Sequence, residues 1–357
     1  MTTGMKKFTK GCLMTALVVF IIGAVLCGVG GLLGGFRQLN GMNVRGITGI
    51  PFVYRIGSDG FEYGFRPWDG NEIDWSGYEN WDSVSSYLKD IDDINDIEGP
   101  APALNLTTDT LRNLYIEVGD CKLYIEESED EYVRLAIDGN ASKFRYHVEG
   151  DSLRLVRKSD WHWVGINWGN WDTSDKIYLY LPKGTSLDYA DIEVGAGYIE
   201  SANLTAREFN IDVGAGVCDV DSLTADDTVM LSVGAGTIRV GRLTCDTADM
   251  DIGAGTLEID DMVIGKEADI DLGMGSVDIG GAIEGDLNVD CSMGTVMLDL
   301  DGTEQDHNFY IDCSMGEVKV GSRSYSSLSS GVTINNGSSS NYDIDCSMGN
   351  VTIKFAR

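Results

Sequence analysis

Apolar and polar residues alternate along most of the second half of this chain, and the alternation is interrupted by glycine at near-constant intervals. The interruptions are Val194-Gly195-Ala196-Gly197, Val213-Gly214-Ala215-Gly216, Val233-Gly234-Ala235-Gly236, Ile252-Gly253-Ala254-Gly255 and Leu272-Gly273-Met274-Gly275. Three further copies read Cys291-Ser292-Met293-Gly294, Cys313-Ser314-Met315-Gly316 and Cys346-Ser347-Met348-Gly349. Successive copies are 19, 20, 19, 20, 19, 22 and 33 residues apart. Five, three and one residues before the glycine stand apolar side chains, as in Phe209, Ile211 and Val213. Four residues after it they return (Ile199, Cys218, Ile238, Leu257), and in most copies six residues after it as well (Val220, Val240, Ile259). Period-two alternation is the signature of half-buried strands. No helix fits between corners, because glycine falls in every window long enough to hold one. A fixed period near 20 residues marks a stacked repeat. The pattern therefore predicts an all-β, single-domain parallel β-solenoid of about 20 residues per coil, wound with the right-handed crossover usual for parallel strands.

The ends of the array follow from the same columns. Leu114, Ile116, Val118, Gly119, Leu123 and Ile125 match an earlier rung. The alternating runs Tyr132–Ile137, Phe144–Val148, Leu153–Val156 and Ile177–Leu181 read as β-hairpins capping the N-terminal end, since a solenoid needs caps. Residues 104–189 are thus assigned to the first strands and cap, and 190–357 to the repeat coils. Ser322–Ser340 holds nine serines in nineteen residues and is expected to loop out of one coil. The chain stops just after its last strand, which predicts a bare C-terminal edge that could pair with another chain.

Upstream the pattern changes. Gly11 to Phe36 carry no charge and are bracketed by Lys10 and Arg37. Twenty-six such residues suffice for one tilted transmembrane helix and exceed the apolar core of a signal peptide. Lys6, Lys7 and Lys10 put residues 1–10 on the cytoplasmic side and the solenoid outside, as a single-pass protein of the cell membrane. Small residues in the helix (Gly30/Gly34, Gly31/Gly35) offer a route to a homo-oligomer, as does the C-terminal edge. Residues 37–103 mix acids, glycine and aromatics and read as an acidic stalk. The net charge of −31 excludes general nucleic-acid binding and would attract cationic peptides or divalent ions.

The strand end Tyr178-Leu179-Tyr180-Leu181-Pro182-Lys183-Gly184, followed by Gly-x-Gly coils of about 20 residues, resembles the bacterial "putative adhesin" β-strand-repeat family of unknown function, in its membrane-anchored Gram-positive form. The resemblance runs from about Leu104 to Arg357. It implies a bacterial envelope protein, with relatives that accompany responses to envelope stress and antimicrobial peptides. It supplies no catalytic residues.

Candidate chemistry is sparse. The three histidines, His147, His162 and His307, sit in no motif with a nucleophile or a metal pair. The Gly-x-Gly corners precede no helix N-terminus and so are not phosphate loops. Cys291, Cys313 and Cys346 replace valine in an inward column and read as small buried hydrophobes. Trp161, Trp163, Trp168 and Trp171 crowd one inter-strand segment behind Arg154, Arg157 and Lys158. They read either as a plug on the end of the core or as a contact surface. An acidic column stands two residues before each corner: Glu193, Asp212, Asp251, Asp271, Asp290, Asp312 and Asp345, with Ser232 as its exception. It reads as a solvated face, with Ca²⁺ binding at Asp251, Asp271, Asp290, Asp312 and Asp345 as the sharper alternative. The expectation is a non-enzymatic, membrane-anchored scaffold without a resident cofactor, meeting envelope proteins, cationic peptides or wall polymers in an envelope-stress or peptide response. A surface adhesin for host or neighbouring-cell ligands is the rival.

Overall fold

The computed structural model describes residues 55–57, 60–62, 82–83 and 103–356, except 120, 139–143, 158–174 and 327–328. The expected membrane helix at 11–36, most of the stalk and the tryptophan segment lie outside the described residues. Among those described, no helix is long and apolar enough to cross a membrane. The chain divides into two units. In the first (Met1–Gly46 and Phe52–Arg66), strands β1 (Arg55–Gly57) and β2 (Gly60–Glu62) form an antiparallel hairpin.

The described residues of the second unit (Ile47–Pro51 and Pro67–Arg357) form strands throughout, apart from turns and a single 3-10 turn at Glu304–Asp306. Its strands run β3 (Asp82–Ser83), β4 (Ala103–Thr107), β5 (Asn113–Val118), β6 (Lys122–Ser128), β7 (Tyr132–Asp138), β8 (Phe144–Glu149), β9 (Ser152–Arg157) and β10 (Lys176–Pro182). Then come β11 (Leu187–Val194), β12 (Tyr198–Val213), β13 (Val217–Val233), β14 (Thr237–Ile252), β15 (Thr256–Leu272), β16 (Ser276–Ile283), β17 (Asp286–Cys291) and β18 (Thr295–Asp301). The series ends with β19 (His307–Cys313), β20 (Glu317–Val320), β21 (Arg323–Ser326), β22 (Ser329–Ile334), β23 (Ser340–Cys346) and β24 (Asn350–Ala356).

The coils stack in parallel and in register, as the columns predict. Ile192 pairs with Ile211, Ile211 with Leu231, Leu231 with Met250 and Met250 with Ile270. The side chains of these columns point inward and are buried. The ladder continues through each corner: Gly214 N donates to Val194 O (2.8 Å), Ala215 N to Gly195 O (2.7 Å) and Val217 N to Gly197 O (2.9 Å). No corner glycine has positive φ. Glycine is required there by close approach of one coil to the next. A Cβ on Gly236 would stand 2.3 Å from Gly216 O, and one on Gly275 2.1 Å from Gly255 O.

The ends depart from a simple sequential stack in two matching ways. At the C-terminal end the last coil, β23–β24, is inserted. It lies between β17–β18 on one side and β19–β20 on the other, all parallel. The serine-rich stretch does not loop out. It contributes β21 and β22, which pair antiparallel with β20 and β19 and cover the outer coil. The bare C-terminal edge expected from the sequence is thus absent, because β23 and β24 each have a neighbour on both sides.

At the N-terminal end the first coil, β5–β6, is likewise inserted. It is sandwiched between β11–β12 and a further coil made of β9 and β10. The runs expected to be hairpins are therefore divided. Leu153–Val156 and Ile177–Leu181 belong to a parallel rung, whereas β7 and β8 pair antiparallel with β10 and β9 as the cap. Strands β3 and β4 add to β8 and β7.

Candidate functional site

The acidic column is a physical column. Glu193, Asp212, Ser232, Asp251, Asp271, Asp290, Asp345 and Asp312 follow one another in register across successive rungs. Insertion of the last coil places Asp345 between Asp290 and Asp312. A second outward column, two residues earlier, runs Asp191, Asn210, Met230, Asp249, Asp269, Asn288, Asp343 and Tyr310. Asn210 donates to Asp191 (2.8 Å), and Asn288 to Glu267 (3.3 Å). The two columns make one face rich in carboxylates, broken by Ser232 in the first column and by Asn210, Met230, Asn288 and Tyr310 in the second, with neighbouring strands about 4.8 Å apart.

Such spacing disfavours full ionisation. Asp212 is pushed above its ordinary value, first by burial and then by Asp191 and Asp251. Burial followed by neighbouring aspartates does the same at Asp249, Asp271 and Asp345. Cross-rung cations lie elsewhere: Arg239–Glu258 (2.8 Å), Arg242–Asp261 (3.1 Å) and Lys266–Asp246 (2.6 Å) bridge coils on the remaining faces. Among the described residues, no group of three or more His, Cys, Asp or Glu side chains is arranged to hold a metal ion. Asp251, Asp271, Asp290, Asp312 and Asp345 form a line with one carboxylate per rung rather than a cage, which is poor geometry for a six- to eight-oxygen Ca²⁺ shell.

Trp161, Trp163, Trp168 and Trp171 lie outside the described residues, but both ends of their segment are placed. β9 pairs with β5 up to Arg157, and β10 pairs with β6 from Lys176. β9 and β10 thus stand in the outermost parallel coil in the places that β5 and β6 hold in the next one. Arg157 and Asp175 close the neck of the intervening segment through a buried ion pair of 2.9 Å. Next to the neck stands an aromatic patch that the strand pattern did not single out. Tyr178 stacks on Tyr124 (5.0 Å) and lies 6.5 Å from Tyr180, while Tyr198 meets Tyr124 edge-on. On the adjoining face Tyr115 contacts Tyr189, and Arg154 covers the Tyr115 ring at 4.1 Å. The Tyr178-x-Tyr180 spacing was visible in the sequence. Its partners come from other rungs and were not.

The remaining polar candidates are structural. Ser340 Oγ donates to Gly285 O (2.6 Å), so its oxygen accepts from His307 Nδ1 (2.8 Å). The His307 ring stacks on Tyr342 at 4.1 Å, and burial lowers its pKa. Cys291, Cys346 and Cys313 are adjacent in one buried column, with no disulfide. Burial is the main cause that pushes the Cys346 thiol up to about 12, which makes it a poor nucleophile.

The sequence that builds this stack matches a known family. The Toastrack DUF4097 family, a domain of unknown function, is matched over residues 111–354, which is more than half of the chain. The chain belongs to the Toastrack family. The match runs from just before β5 to within β24, so it takes in both caps as well as the repeats. No curated protein matches it. Solved structures similar to this Toastrack chain include a "putative lipid binding protein" from Parabacteroides distasonis, with 17% identity, 72% of this chain and 96% of that chain covered, and a TM-score of 0.42. A "putative adhesin" from the same organism has 12% identity, coverage of 72% and 98%, and a TM-score of 0.37. A "putative cell adhesion protein" from Clostridium sporogenes has 11% identity, coverage of 69% and 93%, and a TM-score of 0.25.

Proposed function

We propose that this Toastrack protein is a non-enzymatic binding scaffold of the bacterial cell envelope, anchored through residues 11–36, whose acidic face receives cationic partners such as antimicrobial peptides. The observation that carries the reading is the acidic column from Glu193 to Asp312, flanked by further aspartates at Asp249, Asp269 and Asp343. At Asp212, Asp271 and Asp345 burial first and neighbouring aspartates second raise the pKa, so charge on this face is held at a cost that a bound polycation relieves. The flat, regular spacing suits an extended or helical basic peptide, which can set one positive charge against each rung. The uncharged 11–36 segment and the lysines before it support an outward-facing solenoid near the membrane, where such peptides act.

Calorimetric titration of the full chain in detergent micelles with a cationic amphipathic peptide tests this. Asp251→Asn/Asp271→Asn/Asp290→Asn should weaken binding at least tenfold and flatten its salt dependence. The variant Asp221→Asn/Asp226→Asn/Glu284→Gln removes the same net charge from exposed positions off this face. Equal losses in both variants would reduce the effect to bulk charge and refute a specific face.

A further inference from the structure

One edge of the solenoid changes chemistry partway along the stack. The middle residue of each corner is Ala196, Ala215, Ala235 and Ala254 in the earlier coils. It is methionine in the next four rungs. Their order in space is fixed by the backbone: Met274 N donates to Gly253 O, Met293 N to Gly273 O, Met348 N to Ser292 O and Met315 N to Ser347 O, at 2.7 to 2.8 Å. The ladder therefore reads Met274, Met293, Met348, Met315, although the last two are reversed in the sequence. All four side chains face solvent. The outer members are 63% and 71% exposed and the inner two 51% each, as expected if neighbours shade one another.

An exposed row of thioethers is an unusual surface, since apolar side chains of this size gather in the core. It is also a set of soft ligands. Thioether sulfur selects soft ions such as copper(I) over Ca²⁺ or Mg²⁺. Neighbouring rungs are about 4.8 Å apart, a distance nearly spanned by two bonds on the scale of the zinc–thiolate bond, about 2.3 Å each. Methionine has three rotatable bonds with which to make up the difference. Three residues before each methionine stand Asp271, Asp290, Asp345 and Asp312, whose carboxylates draw cations to the same edge.

We propose that the Met274–Met293–Met348–Met315 ladder is a thioether site for a soft monovalent cation, copper(I) or silver(I). Its ligands are the thioethers and not the carboxylates of the peptide-binding reading, although Asp271, Asp290, Asp345 and Asp312 border both. The site requires no oxidation or proton release, since a thioether is already an unprotonated donor. Cys291, Cys346 and Cys313 lie in the adjoining buried column but are fully covered, so they are not ligands.

The test is an anaerobic titration of the full chain in micelles with copper(I) against bicinchoninate, and with silver(I) while following methyl-labelled methionine by NMR. The four ladder methyl signals should shift together on silver addition. Met293→Leu/Met348→Leu keeps the apolar bulk and removes the two central sulfurs, and should weaken copper(I) binding at least tenfold with the circular dichroism spectrum retained. Cys291→Val/Cys313→Val/Cys346→Val restores the residue found in this column at Val194, Val213 and Val233, and should leave binding unchanged. Unshifted ladder methyls, undiminished affinity in the leucine variant, or loss of binding in the valine variant would each overturn the proposal.

Discussion

At the scale of single residues, the two glycines of each corner have different roles. The second packs against backbone of the coil below: a Cβ on Gly197 would lie 2.5 Å from Cys121 O. The first has more room than the second within each coil, although it narrows along the stack: its Cβ position lies 3.1 Å from the backbone below at Gly195, 2.9 Å at Gly234 and 2.6 Å at Gly273. This accounts for the drift of the motif from Gly-Ala-Gly to Ser-Met-Gly, in which only the second glycine persists. Gly197→Ala should therefore cost about 2–3 kcal/mol, in the range of overpacked cores. Gly195→Ser, which copies Ser292, Ser314 and Ser347, should cost under about 1 kcal/mol, the scale of substitutions tolerated without repacking. Urea unfolding of the two variants would compare them, and equal costs would disprove the distinction.

At the scale of elements, the chain protects both ends of its repeat array by the same device. The first coil, β5–β6, and the last, β23–β24, each lie one rung inside the stack, under an outer coil and an antiparallel cap. An exposed parallel edge invites association with other chains, and chain ends fray. Burying the terminal coils addresses both. The 22- and 33-residue spacings are the cost in length: the first step crosses an open rung through the 3-10 turn Glu304–Asp306, and the second builds the two cap strands. Hydrogen exchange should consequently find the amides of 342–346 and 350–353 as protected as those of β14, despite their nearness to the C-terminus. Rapid exchange there, typical of a fraying end, would contradict the inserted coil.

At the scale of the whole molecule, charge governs the response to pH. Asp212, Asp271 and Asp345 have folded pKa values raised above the ordinary 3.8. A raised folded value means that their contribution to stability is fully present below about pH 3.8 and is lost as pH rises through the folded values. His307 has the opposite sign: its lowered value favours the fold above its ordinary 6.5, a contribution lost as pH falls through the folded value. Comparing wild type with Asp212→Asn/Asp271→Asn/Asp345→Asn isolates the column, since His307 is common to both. The variant should melt at a higher temperature than wild type at pH 7, with the gap closing as pH is lowered to 4. A gap independent of pH would show that the column does not repel itself.

The sequence by itself determined the class of the molecule. Period-two alternation dictates strands, and glycine at a 20-residue period dictates where they bend. Residues with equal phase must share a face, so the buried columns and the line of Asp251, Asp271 and Asp290 could be read directly. The order of the rungs was decided only in three dimensions. Nothing in the phase of Tyr342, Ile344 and Cys346 says that they stack on Leu287, Val289 and Cys291, because every rung presents compatible columns to every other. That choice rests on closing the ends, which is a property of the assembled stack. It is also what places Met348 between Met293 and Met315, and what turns Ser152–Arg157 and Lys176–Pro182 from a hairpin into the coil that carries the tryptophan segment.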